Sequence, residues 1–252
     1  MATIAIGDIH GNRRALNDTL DQIRGEVADD DTVVFLGDYI DRGPDTKGCI
    51  DAVLAFQRDV RAKVVCLLGN HEDWLLRTFR DHACHSWLLG MEAFATIRSY
   101  SVDAERLLRK AKSNARSELW AGHCTLPYEA FFDAVPREHI QFLDGLRVHH
   151  RTADCVCSHG GLDPRVSDLD QQTRYSLIWG AGPFPDDYEG ADTVVYGHRN
   201  NAVLTAGGWP TPALVGRTFG IDTISHGVLT ALRLPDARIF QTARYDLSAS
   251  DA

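Results

Sequence analysis

Three short runs rich in Val, Ile, Leu and Cys each end in a glycine-flanked polar string, and this recurrence strongly constrains the fold. The runs are Thr3–Ile6, Thr32–Leu36 and Lys63–Leu68. Runs this apolar are typical of strands that are covered on both faces. Amphipathic helical patterns over Arg14–Val27 and Gly48–Val60 separate them. This alternation predicts a right-handed parallel α/β unit.

The middle of the chain differs from this first part. Residues 74–144 have mainly helical patterns, including Trp87–Ser99 and Asp103–Leu119. We interpret them as a helical insertion after the third strand. Two further apolar runs, Cys155–Ser158 and Thr193–Tyr196, follow the insertion and resemble the earlier strands.

The last part of the chain, Val203 to Thr242, returns to β character. Thr230–Leu234 and Arg238–Gln241 are predicted to pair through the turn at Pro235-Asp236. No internal repeat, low-complexity tract or long linker is visible in the sequence. We therefore predict one domain over residues 1–252, built as a β-rich α/β sandwich.

Composition excludes several classes of protein. The chain has 252 residues, 44% of them hydrophobic, and a formal net charge of −9, which argues against disorder and against binding nucleic acid through bulk positive charge. No apolar run is long enough to span a bilayer, and Asp8 interrupts the first apolar stretch, so we expect no signal peptide. The six cysteines are scattered. We expect a cytoplasmic protein with no nucleic-acid or membrane partner, and the sequence leaves its oligomeric state open.

The polar strings are the candidate functional residues. Asp8 and Asp38 lie 30 residues apart, and Asn70 follows 32 residues later, about the length of one strand–helix unit. The strings should therefore meet at the carboxyl ends of neighbouring strands, where α/β sheets bind ligands. The five strings are Gly7-Asp8-Ile9-His10-Gly11, Gly37-Asp38-Tyr39-Ile40-Asp41-Arg42-Gly43, Gly69-Asn70-His71-Glu72, Ser158-His159-Gly160-Gly161 and Tyr196-Gly197-His198.

Together these strings bring carboxylate, amide and imidazole groups to one place. This mixture suits ions such as Mn, Fe or Zn better than a thiolate site or an all-oxygen calcium site. A single Asp-x-His string is usually only a turn with satisfied polar groups. Five glycine-flanked strings at strand ends are hard to explain in that way, so we predict a centre with two metal ions.

The strings GDIHG, GDYIDRG, GNHE, HGG and YGH, in this order, resemble the PPP-type metallophosphatases. This calcineurin-like group includes serine/threonine protein phosphatases and small bacterial and phage enzymes. The resemblance extends from Ile6 to about Leu234. It implies a four-layer α/β/β/α sandwich with two divalent cations. Mn is the favoured metal, and Fe, Zn and Mg are the alternatives. It also implies phosphoester hydrolysis by in-line attack of a hydroxide that bridges the two ions.

The resemblance assigns a role to each matching position. It implies that His71 protonates the leaving group while Asp41 holds its imidazole and raises its pKa. Arg42 would bind phosphate, the alternative being a surface ion pair with an Asp. The implied metal ligands are Asp8 and His10 for the first ion, Asp38 for both, and Asn70, His159 and His198 for the second. Asn70 and His226 complete the phosphate-binding candidates, and His226 could instead pack in the interior or face solvent.

The sequence departs from the family where many members carry further phosphate-binding arginines. Leu68 stands before Gly69, and glycine follows the Leu177-Ile178-Trp179 string. Arg165, Arg174 and Arg199 are candidate substitutes that no motif places.

The resemblance leaves three functions open. The form of Asp41-Arg42 and Glu72 favours a phosphomonoesterase for phosphoserine or phosphothreonine, on a protein, a peptide or a small phosphoester. The alternative is a symmetrical dinucleoside tetraphosphate hydrolase, and a non-catalytic metal-binding module comes last because every ligand position is intact. The five tryptophans, Trp74, Trp87, Trp120, Trp179 and Trp209, are interpreted as core or wall rather than as stacking surfaces for bases.

Overall fold

The computed structural model describes residues 1–115, 118–121 and 124–246. Its strands lie close to the predicted ones. In chain order they are β1 (Thr3–Ile6), β2 (Thr32–Phe35), β3 (Lys63–Cys66), β4 (His149–Arg151), β5 (Val156–Ser158), β6 (Val194–Tyr196), β7 (Ala202–Leu204), β8 (Pro210–Val215), β9 (Thr218–Gly220), β10 (Thr230–Leu234) and β11 (Arg238–Gln241).

The described helices fall mostly between β3 and β4. They are α1 (Arg13–Arg24), α2 (Thr46–Asp59), α3 (Asn70–Arg80), α4 (Ser86–Gly90), α5 (Phe94–Tyr100), α6 (Val102–Ala115), α7 (Glu118–Ala121), α8 (Glu129–Phe132), α9 (Arg137–Asp144) and α10 (Arg174–Trp179). Short 3₁₀ turns cover Leu169–Gln171 and Ile224–His226.

The strands form two sheets. Sheet one has the order β11-β10-β1-β2-β3, with β1, β2 and β3 parallel and the predicted hairpin β10-β11 antiparallel at its edge. Sheet two has the order β4-β5-β6-β9-β8-β7, with β5, β6 and β9 parallel. The carboxyl ends of both parallel sets carry the polar strings of the sequence.

Three buried clusters define four layers and confirm the predicted α/β/β/α sandwich. Alternate residues of each strand face opposite ways, so sheet one packs against helices on one face and against sheet two on the other. The helix-facing cluster includes Ile4, Phe35, Ile50 and Trp87. The cluster between the sheets includes Ala5, Val34, Leu36, Cys157 and Val195. A third cluster, with Val156, Val194 and Leu177, packs the outer face of sheet two against α10.

The predicted helical insertion is present, because every described element between β3 and β4 is a helix. The single helix predicted over Trp87–Ser99 is wrong: α4 and α5 replace it, and Glu92 between them has a φ of 54°, which no α-helix accommodates. The start of α2 also lies earlier than predicted, because the Asp45 carboxylate caps it by accepting the Gly48 N–H (2.8 Å). Among the described residues, no helix has both the length and the apolar character to cross a bilayer.

Candidate metal centre and phosphate site

The backbone at the strand ends is strained where the candidate side chains lie. Non-glycine residues with positive φ are uncommon and tend to cluster at functional sites. Here they follow β1, β2 and β6 and aim consecutive side chains toward one place. They include His10 (46°), Asp38 (52°), Asp41 (68°), Arg42 (63°) and His198 (59°).

The first group of potential metal ligands consists of His10, Asp38 and His71, all buried. The Asp38 Oδ2 lies 3.5 Å from His10 Nε2 and 3.8 Å from His71 Nε2. The His10 Nδ1 faces the Ile40 carbonyl at 3.0 Å. A hydrogen bond from Nδ1–H to this carbonyl leaves the Nε2 lone pair directed at Asp38, which is the usual arrangement of a metal-binding histidine.

The second group shares Asp38 and adds His159 and His198. The Asn70 side-chain oxygen lies 2.9 Å from both His159 Nε2 and His198 Nδ1, and Asp38 Oδ1 is 3.4 Å from His159 Nε2. The His159 Nδ1 faces the Leu36 carbonyl at 3.0 Å, as His10 faces Ile40. Asp38 is therefore positioned between the two groups, as a bridging carboxylate would be.

Asp8 lies beside the second group rather than within it. Its carboxylate accepts the backbone N–H of His198 at 3.1 and 3.3 Å. Burial and the neighbouring Asp222 carboxylate raise the pKa of Asp8 well above its usual value. Asp222 Oδ2 accepts the Asn200 N–H, whereas its buried Oδ1 has no hydrogen-bond partner within the described residues. Asp222 lies outside the five polar strings, and the sequence analysis did not single it out.

Two glycines of the strings are required by these carboxylates. A Cβ on Gly69 would lie 2.0 Å from Asp38 Oδ1, and a Cβ on Gly197 would lie 2.0 Å from Asp8 Oδ1. Both distances are far shorter than a van der Waals contact, so any larger residue would displace the carboxylate. The glycines therefore allow backbone to lie directly against the candidate ligands.

The electrostatics of the site fit bound cations. Burial opposes protonation of His159, yet the carboxylates of Asp38 and Asp8 raise its pKa to about 10. Burial and the charge on His159 lower the pKa of His198 to about 3, so its ring is neutral and can act as a ligand. Buried carboxylates need compensating charge, and neutral imidazoles with carboxylate and amide oxygens suit divalent transition metals. The donor set therefore fits the implied pair of cations.

His71 has a different environment from the other three histidines. Its Nδ1 lies 2.8 Å from Asp41 Oδ2, and its Nε2 faces Asp38 and the Arg42 guanidinium (3.5 Å). Burial opposes its charged form, but the Asp38 and Asp41 carboxylates raise the pKa of His71. Its Nδ1 thus faces a carboxylate, whereas the Nδ1 atoms of His10 and His159 face backbone carbonyls. A carboxylate partner stabilises the protonated ring, so the geometry favours an acid role over a ligand role.

The helical insertion holds Asp41 in place. The Trp87 indole N–H donates to its carboxylate at 2.9 Å, and the Thr96 hydroxyl donates at 2.6 Å. The Asp41 backbone N–H in turn donates to the Thr96 oxygen (2.8 Å). Sequence reasoning missed Trp87 and Thr96, because they lie 46 and 55 residues from Asp41 and belong to no string.

Glu72 fixes the loop that carries Asp38. Its buried carboxylate accepts the backbone N–H groups of Asp38, Tyr39 and Ile40 at 2.9 to 3.2 Å, and that of Gly69 at 3.1 Å. These bonds tie the loop after β2 to the first turn of α3. The glutamate of the GNHE string thus has a structural role, holding the loop after β2, that the sequence alone did not reveal.

The candidate phosphate-binding residues differ in their surroundings. Arg42 is exposed, makes no ion pair within the described residues, and borders a cleft of about 690 Å³ lined by Phe94, Arg98 and Arg109 of the insertion. The first turn of α3, with its positive dipole end, places Asn70 beside the histidines. His226 lies beside Asn200 (3.3 Å) rather than in either ligand group.

The three arginines considered as substitutes also differ in their partners. Arg165 pairs with Asp163 and Arg174 pairs with Asp73. Arg199 follows His198 directly, and its guanidinium donates to the Trp179 carbonyl at 3.2 Å. Of the three, Arg199 is thus the one that is adjacent to the candidate ligands and engages no carboxylate within the described residues.

Comparison with known proteins agrees with this site. The family model for calcineurin-like phosphoesterases matches residues 1–227. A zinc-dependent endopolyphosphatase of Saccharomyces cerevisiae is 28% identical over 143 residues, 52% of this chain and 42% of that protein. A symmetrical bis(5'-nucleosyl)-tetraphosphatase of Proteus mirabilis is 39% identical over 79 residues, 31% and 27% of the two chains. The matches thus span less than half the length of both these relatives.

Two further similarities cover nearly the whole chain. The asymmetrical bis(5'-nucleosyl)-tetraphosphatase PrpE of Oceanobacillus iheyensis is 23% identical over 261 aligned positions, 94% of this chain and 90% of that protein. A solved structure described provisionally as a diadenosine tetraphosphatase superposes with a TM-score of 0.62 at 20% identity and covers 97% of this chain and 94% of its own. At this identity the structural match bears on the fold alone.

Proposed function

Because the chain belongs to the calcineurin-like phosphoesterase family, we propose that it hydrolyses phosphoesters with two divalent cations held at the strand ends. The buried His71–Asp41 pair beside the two ligand groups carries this proposal. An imidazole held by a carboxylate beside the ligand groups is placed as a general acid would be, and metal binding alone does not require this pair. The proposed ligands are Asp8, His10, Asp38, Asn70, His159 and His198.

The proposed metal ligands, Arg42 and the start of α3 together account for activation of water and binding of the phosphate. When bound, two divalent cations supply Lewis-acid chemistry, since they offset the phosphate charge and favour the deprotonation of water. The Arg42 guanidinium is free to bind two phosphate oxygens. The neighbouring helix N-terminus adds favourable dipole charge for an anion.

His71 completes the reaction as a general acid. Its Nε2–H gives a proton to the leaving oxygen as the P–O bond breaks, and the imidazole regains a proton from solvent in the next cycle. Asp41 holds the Nδ1–H and stabilises the charged ring. Trp87 and Thr96 keep the Asp41 carboxylate in the orientation that this requires.

Two substrate classes are supported by different observations. The Asp41-Arg42 and Glu72 positions follow the protein-phosphatase form of the strings, which favours phosphoserine and phosphothreonine. The relative that spans 94% of this chain is named a dinucleoside tetraphosphatase, which favours a dinucleoside tetraphosphate. Both substrates present a phosphorus centre and a leaving oxygen to the same residues.

The test is turnover of p-nitrophenyl phosphate after chelation and after return of Mn, Fe, Zn or Mg. We expect no turnover in the chelated protein and recovery with Mn. Turnover that resists the chelator, or none with any of the four ions, would contradict the proposal. Parallel rates on a phosphoserine peptide and on diadenosine tetraphosphate then separate the two substrate classes.

A further inference from the structure

A flat aromatic surface begins beside the second ligand group. Tyr175 and Trp179 lie one turn apart on α10, and their rings stack with centroids 6.3 Å apart and planes 10° apart. The Trp179 ring in turn meets the His198 ring edge-on at 6.5 Å. Tyr175 is 66% exposed. Two ring-to-ring steps therefore lead from a candidate metal ligand to an exposed aromatic face.

This pair, which we call the aromatic platform, is held from beneath. The Trp179 indole N–H donates to the buried Asp73 carboxylate at 3.4 Å, and Arg174 donates to the same carboxylate at 3.0 Å. Trp74 packs against the Trp179 ring at 4.7 Å. Because Asp73 lies two residues after His71 on α3, the platform is fixed relative to the proposed general acid. Contacts within the protein therefore set the orientation of the Trp179 ring.

We propose that the aromatic platform stacks a nucleobase of a nucleoside phosphate whose phosphate lies at the ligand groups. This proposal rests on the proposed function. Of the two substrate classes considered there, it favours nucleotides over phosphoserine and phosphothreonine. A base has a flat π face that gains from stacking on an exposed ring, regardless of its identity. A phosphoserine side chain has no such face and would leave Tyr175 exposed. Trp179 is therefore a binding residue as well as the wall residue that the sequence analysis predicted.

The test uses the phosphonate analogues of AMP and ribose 5-phosphate, in which a CH2 group replaces the ester oxygen so that the proposed reaction cannot cleave them. The analogues, named below by their parent compounds, are compared by titration calorimetry in the presence of Mn. The two ligands share ribose and phosphate, so the ratio of their dissociation constants isolates the base. Because a base gains affinity by stacking on an aromatic ring, we expect AMP to bind roughly tenfold more tightly. In Tyr175→Ala this ratio should fall toward one, and in Tyr175→Phe, which keeps the ring, it should persist.

The matched control is Leu214→Ala, which removes an exposed apolar side chain from β8 and should leave the ratio and the turnover of p-nitrophenyl phosphate unchanged. A ratio near one in the wild-type protein, or a ratio that Tyr175→Ala leaves unchanged, would overturn the proposal. So would a variant that loses affinity for a phosphoserine peptide and not for AMP. Because binding is measured without turnover, these outcomes are distinct from a failure of the proposed hydrolysis.

Discussion

The strand-end loops and the helical insertion meet at one carboxylate, Asp41, and they contribute different kinds of groups to it. The segment after β3, which leads into the first turn of α3, brings His71, an ionisable residue that faces the ligand groups. The insertion brings Trp87 and Thr96, which are uncharged and donate hydrogen bonds to the Asp41 carboxylate. The comparison indicates that reacting groups come from the sheets, whereas the insertion positions them and shapes the cleft beside Arg42.

The largest effect should follow from His71→Asn, which changes the loop side of the comparison. A general acid contributes about 10² to 10⁴ in rate when the leaving oxygen is basic. We therefore expect a loss of that order on an alkyl phosphate and a much smaller loss on p-nitrophenyl phosphate, whose leaving group needs no proton. Steady-state rates on both substrates measure it.

The matched control for this variant is His82→Asn, a histidine of the insertion that lies against Phe132 and should behave as wild type. Equal losses on the two substrates in His71→Asn would show that the imidazole does not donate the proton. Metal content should be checked in parallel, because a fall in retained Mn would indicate that His71 is a ligand instead.

A smaller effect should follow from Trp87→Phe, which changes the insertion side. The ring still fills the core, but Asp41 loses one N–H donor. Residues that orient a catalytic group in this way typically contribute about 10- to 100-fold, and we expect the lower end because Thr96 still donates. Since Trp87 acts through His71, the loss should again be greater on the alkyl phosphate, at unchanged metal content.

A double variant sharpens this test. In a His71→Asn background, Trp87→Phe should cost almost nothing more, because the two residues act as one unit. Trp209→Phe, which removes an indole N–H that donates to Gln241, is the control. A full additional loss in the double variant would mean that Trp87 affects the site by another route.

The difference between the strand ends and the helical insertion also explains which features the sequence could predict. Strands β1, β2 and β3 were predicted almost to the residue, because strands buried on both faces have continuous apolar runs with clear ends. The strings at those ends identified the candidate ligands, since parallel strands deliver their carboxyl ends to one edge. Burial on both faces and glycine spacing are local signals, and local signals can be read from one chain.

The insertion lacked such signals. The break between α4 and α5 follows Gly90, but a lone glycine is tolerated inside a helical pattern. The residue with positive φ is Glu92, an ordinary helix former, so the helical pattern through Trp87–Ser99 looked continuous. The contacts of Trp87 and Thr96 with Asp41 depend on how the helices pack, which no spacing reveals. Likewise, Arg165 and Arg174 could be separated from Arg199 only when their ion pairs with Asp163 and Asp73 were visible.

The smallest effect concerns how the insertion is attached, through His139 on α9. Its Nε2 lies 2.9 Å from Asp51 Oδ1 on α2, and the Tyr100 hydroxyl on α5 lies 2.8 Å from its Nδ1. A neutral ring, with Nε2–H donating and Nδ1 accepting, satisfies both contacts. Burial lowers the pKa of His139, although Asp51 opposes this shift. The folded protein therefore binds this proton less readily than the unfolded chain.

Acid should consequently weaken the attachment. As pH falls below about 6.5, the unfolded chain takes up the proton first, so the stability contributed by neutral His139 is lost. His139→Gln keeps a side-chain donor near Asp51 but cannot titrate. We expect a loss of about 1 kcal/mol in the free energy of unfolding at pH 7.5, and a smaller difference from wild type at pH 5.5. Urea unfolding at the two pH values measures it.

This variant also bears on whether attachment and positioning are separate properties of the insertion. Tyr100, the partner of His139, lies on the same helix as Thr96, one turn further along α5. If α5 moves as a rigid element, loosening its contact with α9 would disturb Asp41 and produce a loss that depends on the leaving group. We expect no such loss, because Asp41 is also held by Trp87 and His71. A leaving-group-dependent loss in His139→Gln would contradict the separation. Unfolding energies of the variant and wild type that fall in parallel between pH 7.5 and 5.5 would instead contradict the titration of His139.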